Sequence, residues 1–538
     1  MLPVGRFSKK TGAWVFLAFV VTVFAIASTV FSMESRMIDY DNACHFYYSV
    51  YIYEGKIPYR DFSLFKTPLY MYVVSLFFSV FGVGFDRILA LNIVINALTI
   101  VGIYLLGREV KNPTVGLVAS VFYALSYFSV LIHVAGKTEP LFNMLLVYAI
   151  LFLVKPRPRE PLRSIASPLL LALAFYNLPR ASIPALGGIA LTLLTTSTLR
   201  RTLRYLGLFT IFATAMSAPF LILAPTEFFY NVFLFNTLRG FQNTPGVSAS
   251  IQWLLERGSL TLFTFGTLGL LLTTLHAWNR LPKPLHPLAP HLQKNHATLL
   301  ASLFLLFWIF LALPQFAYPY MIYPIWPLLA TGAALLITPL IKHVLNITFH
   351  GSSSQVRTYL PLLILLLLTA SVIAFDVTST MRDVNVNIIF WRTRMADMDA
   401  IVNLIEEQTN PEDAVLSFTP NLSSKINRPI VFPQNPSGSN PDLINYFPFR
   451  TFVLMMENET QPFKLTNLLK IRSTLRDMQT KIQTVEFSEL LSNVKILVLE
   501  EDYLATQIPK YDQTFGQIIQ ERCELLASFS WISVYLVT

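Results

Sequence analysis

The chain has 538 residues, of which 54% are hydrophobic and only 13% charged, with a formal net charge of +9. Soluble globular chains carry roughly 25% charged residues, and one water-soluble core has no room for so large an apolar excess. Composition excludes an ordinary soluble enzyme, a disordered protein and a collagen-like fibre. It points to a polytopic membrane protein whose basic residues set orientation rather than bind nucleic acid.

A helix of about 20 apolar residues crosses the bilayer core. On that measure the chain reads as mostly α, a polytopic membrane helical bundle of about eleven transmembrane helices. They fall near 13–33, 87–106, 114–132, 139–154, 164–179, 182–197, 205–223, 259–277, 298–313, 320–338 and 358–375. The first is too long for a signal-peptide core and lacks a small-residue cleavage site. Basic residues collect on alternate loops: Arg6, Lys9 and Lys10; Arg108 and Lys111; Lys155 to Arg163; Arg200, Arg201 and Arg204; Arg280, Lys283 and Lys294; Lys342 and Arg357. The positive-inside rule makes these loops cytoplasmic. The N-terminus is then inside and the C-terminus outside. Residues 68–83 have the hydropathy of a span, but a crossing there would invert every later loop. Their short apolar run and aromatics predict a helix lying along the outer interface instead.

Beyond residue 376 charge and turn residues return. AVLSF (414–418), PIVF (429–432), KILVLE (495–500) and WISVYLV (531–537) read as strands. Residues 391–408, 480–493 and 511–521 read as amphipathic helices. The organisation expected is a membrane domain 1–375 with an outer loop 34–86, followed by a small C-terminal extracytoplasmic α/β domain, 376–538. Asn421 and Asn458 begin N-x-S/T triplets on that side. Two cysteines, Cys44 and Cys523, are too few for a disulfide framework or a Cys-based zinc site, though a single bond between them stays open.

The stretch 38–70, IDYDNACHFYYSVYIYEGKIPYRDFSLFKTPLY, is dense in ionisable groups: Asp39, Asp41, His45, Glu54, Lys56, Arg60, Asp61 and Lys66. Charges beside hydrocarbon point to function, while a solvated loop is the plain alternative. The order of the pieces is informative: an acid directly after the first helix, an amphipathic helix (42–54), a Gly, a Pro-Tyr-Arg-Asp-Phe turn, then Lys-Thr-Pro-Leu. On Tyr40-Asp41-Asn42, Gly55, Pro58 to Phe62 and Lys66 to Tyr70, the sequence resembles the polytopic glycosyltransferases of the C-type fold. Among them it is most similar to the dolichyl-phosphate-mannose protein mannosyltransferases and the bacterial aminoarabinose transferases. Phe81-Gly82 and Gly107-Arg108 fit the same pattern. It departs at Asn42, where the family has a second acid, and at Thr67, where it has a first proline. The departure at Asn42 leaves Asp39 and Asp41 as competing key acids, and spacing to Gly55 and Lys66 favours Asp41.

A second match is His133-Val-Ala-Gly-Lys137-Thr138-Glu139-Pro140-Leu141, on the outer side in the topology above. Glu139 is either the family's acid facing the same cavity or a carboxylate favoured at a helix N-terminus. Arg180 in Asn-Leu-Pro-Arg is either a site cation or a side chain snorkelling to headgroups. Tyr318 and Tyr320 read as interfacial aromatics or as a family-like outer turn.

The resemblance implies inverting transfer of a sugar from a polyprenyl-phosphate donor to a glycan, lipid or protein acceptor. Asp41 would be the general base and Glu139 would orient acceptor or sugar. Lys66 would meet the phosphate, with Arg60, Lys137, Arg180 and Arg239 as further cations, and Asp39, His45 and Asp61 would lie within the site. No cofactor is required. Asp39-x-Asp41 matches a short D-x-D metal pattern, so a divalent cation stands as a lesser alternative. No P-loop, H-E-x-x-H or nucleotide fingerprint occurs, as suits a lipid-carried donor. Two other classes compete. A transporter or flippase would place charges near the midplane and show paired repeats, and an envelope binding protein would not need Asp41 and Lys66 together.

Overall fold

The structure is a computed structural model that describes residues 9–35, 40–126, 129, 137–154, 161–234, 260–277, 292–312, 324–350, 396–417, 430–431, 434–435, 438–439, 491–492, 494–500, 518–528 and 532–538. The expected spans return as helices α1 (Lys9–Ser35), α4 (Phe85–Val110), α5 (Pro113–Ala124), α6 (Glu139–Val154), α7 (Pro161–Asn177), α8 (Pro179–Thr196) and α9 (Leu199–Leu223). Between α1 and α4 lie α2 (Tyr40–Tyr53) and α3 (Leu69–Phe81). A short α10 (Pro225–Phe229) runs into a π-turn (Tyr230–Leu234), and α11 (Leu260–Ala277), α12 (Lys294–Ala312) and α13 (Trp326–His350) follow. The expected span 358–375 lies outside the described residues, as do Asn421, Asn458, Tyr318 and Tyr320.

Local chemistry sets several boundaries. Asn112 caps α5, its side chain accepting from Val115 N–H at 3.0 Å, with Pro113 at the first helical position. Pro179 likewise opens α8. The break between the spans expected at 164–179 and 182–197 is therefore Leu178, and Arg180 sits inside the first turn of α8 rather than between the two helices.

Among the described residues three helices are long and apolar enough to cross a membrane: Gly12–Val30, Phe85–Val110 and Leu199–Leu223. Large apolar side chains on two of them stand open: Phe19 is 62% exposed, Ile26 59%, Ile211 63% and Ile222 78%. Water would penalise such rows and hydrocarbon would not. The 13 residues of α3 rise about 20 Å, well short of a bilayer core.

The chain divides into two compact units, which are described separately. One comprises Met1–Met33, Ile88–Met216 and Asn243–Asn387, and the other Glu34–Arg87, Ser217–Gln242 and Ile388–Thr538. In the first, α11 packs on α13, α6 on α7, α8 on α12 and α5 on α13. Backbones approach closely there because small residues permit it. A Cβ on Gly266 would sit 2.6 Å from the Leu329 carbonyl oxygen, and one on Gly188 would sit 2.9 Å from Leu303 Cα.

In the second unit the C-terminal residues form a mixed sheet from β1 (Val415–Ser417), β2 (Ile430–Val431), β5 (Ile496–Glu500), β6 (Cys523–Ser528) and β7 (Ile532–Val537), in the order β2-β1-β5-β7-β6. The short pair β3 (Gln434–Asn435) and β4 (Gly438–Ser439) stands apart from it. β1 runs parallel to β2 and β5, while β7 is antiparallel to β5 and β6. Residues 396–408 are helical, and Met398, Ile401 and Ile405 share one stripe that packs on Val415, Ile496, Val498 and Val534. Four of the strands coincide with the expected ones. β6 was not expected, and the helix expected over 511–521 is described only at 518–522. Cys44 and Cys523 are free thiols.

The glycine contacts make a direct prediction. Gly266→Val must separate α11 from α13 and should lower stability by about 1–3 kcal/mol, as overpacking does. Thermal unfolding in detergent checks this, with Gly207→Ala, which meets nothing within 4 Å, as a control that keeps or raises the midpoint.

Candidate functional site

In the second unit, the segment joining α2 to α3 is a closed turn. Gly55, at φ +85°, ends α2 in the left-handed region that favours glycine. The turn then folds on itself: Tyr59 N–H donates to Phe62 O at 2.8 Å and Asp61 N–H to Ile57 O at 2.9 Å. Ile57 N–H donates in return to Asp61 Oδ2 at 2.7 Å. Tyr59 adopts φ +69°, uncommon for a bulky residue. Its ring is fully buried, edge-on to Phe220 at 5.3 Å and Phe228 at 5.1 Å. Its hydroxyl donates to the Lys66 carbonyl at 2.7 Å. Phe62, also fully buried, stacks on Tyr48 of α2.

The result is a fixed position for Lys66. Its Nζ lies 3.0 Å from Nε2 of His45, a buried residue of α2 whose ring meets Tyr70 edge-on. An ammonium only donates, so Nε2 must accept and the ring proton sits on Nδ1. Asp41 stands in the first turn of α2, one helical turn before His45. The backbone thus brings Asp41, His45 and Lys66 into one segment of the fold. Asp39 lies outside the described residues. Arg60 and Asp61 face each other: Nε and Nη2 of Arg60 donate to the two Asp61 oxygens, each at 2.7 Å. The guanidinium, with help from the Ile57 N–H, holds the Asp61 carboxyl below its usual range. Burial and nearby Glu54 push the Tyr51 phenol up.

The first unit holds the other candidates. Glu139 opens α6 and is half-buried, and the Thr138 hydroxyl donates to its Oε2 at 3.4 Å. Lys137 immediately precedes it and Arg180 lies in the first turn of α8, both half-buried. Two residues absent from the sequence reading hold this turn: Asn177 donates through Nδ2 to Thr138 O at 2.8 Å, and Asn92 to Lys137 O at 3.5 Å. The signal that marks them is an amide inside an apolar run, which must find a partner. Arg239 lies outside the described residues. Among the described residues no group of three or more His, Cys, Asp or Glu side chains is placed to hold a metal.

Asp61 should act on the turn rather than on a ligand alone. Its lowered pKa stabilises the turn fully above the ordinary aspartate value near about 3.9 and ceases to do so as pH falls through the lowered folded value. Proteolysis within 55–67 should therefore accelerate at acid pH in the wild type. It should be faster and pH-independent in Asp61→Asn. Tyr59→Phe, which loses only the hydroxyl, should weaken the same turn by about 0.5–1.5 kcal/mol.

Residues 65–222 match the family model described as dolichyl-phosphate-mannose-protein mannosyltransferase. That range includes Lys66, Lys137, Glu139 and Arg180. Among solved structures, ArnT from Cupriavidus metallidurans bound to undecaprenyl phosphate superposes with a TM-score of 0.58 at 12% identity, over 98% of each chain. Its apo state gives 0.57 at 13% identity, again over 98% of each chain. The archaeal oligosaccharyltransferase AglB from Archaeoglobus fulgidus, in complex with an inhibitory peptide and a dolichol-phosphate, gives 0.53 at 12% identity, over 99% of this chain and 75% of that one. No curated protein matches the chain in sequence. At these identities the structural likeness is one of fold, and it extends over nearly the whole chain. The chain is thus similar over residues 65–222 to the dolichyl-phosphate-mannose-protein mannosyltransferases and shares the fold of ArnT and AglB over nearly its whole length.

Proposed function

We propose that the chain transfers a sugar from a polyprenyl-phosphate carrier to an acceptor hydroxyl or amide on the extracytoplasmic side, with inversion. The observation that carries this reading is the Lys66 ammonium, fixed by buried His45 at 3.0 Å, one helical turn from Asp41. A departing polyprenyl phosphate needs a positive charge held in place beforehand, because a preorganised charge needs no reorganisation as the bond breaks. Lys serves phosphate as a point charge.

The step balances as a single displacement. The Asp41 carboxylate takes the acceptor proton as the acceptor atom bonds to the anomeric carbon. The carbon–oxygen bond to the carrier breaks with its electron pair, and polyprenyl phosphate leaves beside Lys66. Glu139 orients acceptor or sugar, and Lys137 and Arg180 add positive potential. Asp61 and Arg60 mainly close the turn that carries Lys66, since each already holds the other. The scheme uses no metal. The exposed apolar rows of α1 and α9 suit a body embedded in lipid, where the carrier's chain also lies. The alternating basic loops support a cytoplasmic N-terminus, and the length of α3 supports an interfacial helix rather than a span. With about eleven spans, an inside N-terminus would put residues 376–538 outside.

Two measurements test this. With purified protein and polyprenyl-phosphate sugars, Asp41→Asn should reduce turnover by about 10²-fold or more, and undiminished transfer would remove Asp41 from the mechanism. Lys66→Ala should chiefly raise the donor KM. His45→Phe should follow it, whereas His45→Gln, which keeps an acceptor, should stay nearer wild type. For topology, a cysteine introduced at Val83, with Cys44 and Cys523 replaced by serine, should react with an impermeant thiol reagent added outside intact cells, and labelling only from the cytoplasm would overturn the orientation.

A further inference from the structure

The turn that opens α6 is held from outside its own helix. Helix N-termini leave four N–H groups without helical partners, but their carbonyls are normally satisfied within the helix. Thr138 O already accepts from Phe142 N–H at 3.3 Å. It also accepts the Asn177 amide at 2.8 Å. Since the partner is a carbonyl, the nitrogen of the Asn177 side chain must be the atom that faces it. The preceding carbonyl, that of Lys137, meets Asn92 Nδ2 in a longer 3.5 Å contact. Both amides are buried, Asn92 completely and Asn177 to within 2%. Asn92 is itself backed: Asn96 Nδ2 donates to its carbonyl at 3.0 Å, and the buried Tyr123 hydroxyl donates to Asn96 Oδ1 at 3.1 Å. Two successive carbonyls are thus gripped from α4 and from the end of α7. Three residues beyond Asn177 comes Arg180, in the first turn of α8.

We infer that Asn177, seconded by Asn92, is a positioning residue. It fixes the Lys137–Glu139 turn so that the Glu139 carboxylate starts α6 at one set angle, and it ties that turn to the segment carrying Arg180. A packing role alone would not require an amide nitrogen directed at a carbonyl that its own helix already satisfies. The chemistry recognised is therefore backbone geometry rather than a ligand. The inference rests on the reading of Glu139 as a group that orients acceptor or sugar.

The test uses the full chain in lipid nanodiscs, with Asn177→Ala, Asn177→Asp and Asn92→Ala. Asn177→Asp keeps the size and loses the donor, so it should behave like the alanine variant. Hydrogen exchange read at the amides of residues 142–145 should accelerate about tenfold or more in both Asn177 variants, and less in Asn92→Ala. Exchange within Leu260–Ala277 and the thermal midpoint should stay near wild type. Turnover should fall about tenfold or more with donor KM little changed, since small misplacements act on the reacting geometry. Unchanged exchange at 142–145 would overturn the clamp. Faster exchange with wild-type turnover would overturn its positioning role. Equal acceleration in Leu260–Ala277 would show a general loss of folding and also overturn it. If the wild type transfers no sugar from any polyprenyl-phosphate donor, the functional reading fails by itself, and the exchange arm still decides whether the clamp exists.

Discussion

The second unit's chemistry depends on one buried aromatic residue in a backbone conformation it would not choose. Tyr59 sits at φ +69°, and such strain costs on the order of 1–3 kcal/mol. Full burial of a large ring offsets a cost of that size, and here the ring is closed in by Phe220 and Phe228. The hydroxyl that remains is aimed at the Lys66 carbonyl. Strain at Tyr59 therefore becomes position at Lys66, and the His45 contact carries that position out to the ammonium. A flexible loop could carry the same residues without holding the charge in advance.

The first unit solves a similar problem by other means. Glu139 is placed by a helix start rather than by a turn, and a helix start is prone to fray. Amides from two other helices remove that freedom by bonding the carbonyls of Lys137 and Thr138. Lys66 is met by a neutral imidazole, and the turn before Glu139 by neutral amides. The ion pairs Lys56–Glu54 and Arg60–Asp61 are on exposed or half-exposed side chains. Exposed pairs contribute little, whereas the bond from the Asn177 amide to Thr138 O is buried.

Much of this was legible in the sequence because it rests on periodicity and composition. Hydropathy located α4 and α6 to within a few residues, and Glu139 was expected at a helix start, where it stands. The turn before Lys66 was legible from Gly55 and the Pro-Tyr-Arg-Asp-Phe order. What escaped depends on contacts between segments distant in sequence. Nothing local announces that Tyr59 takes a positive φ, since the residue type argues against it. Asn92 and Asn177 are single amides within apolar runs, and only the fold shows that each reaches a carbonyl more than thirty residues away. The strand Cys523–Ser528 was hidden for a different reason. Its sequence, CELLAS, is rich in good helix formers, and pairing with β7 overrides that propensity.

The low charge content acquires a physical meaning from these placements. A chain with so few ionisable groups has little electrostatic freedom, and a misplaced lysine near hydrocarbon would snorkel to the nearest headgroup. Lys66 is restrained from doing so by a carbonyl bond behind it and an imidazole before it. That restraint also sets a polarity requirement on His45. Protonated, the ring would lose its acceptor and place a second cation 3.0 Å from the first. The neutral tautomer with the proton on Nδ1 is the state in which the ring accepts from Lys66 and so keeps it in place.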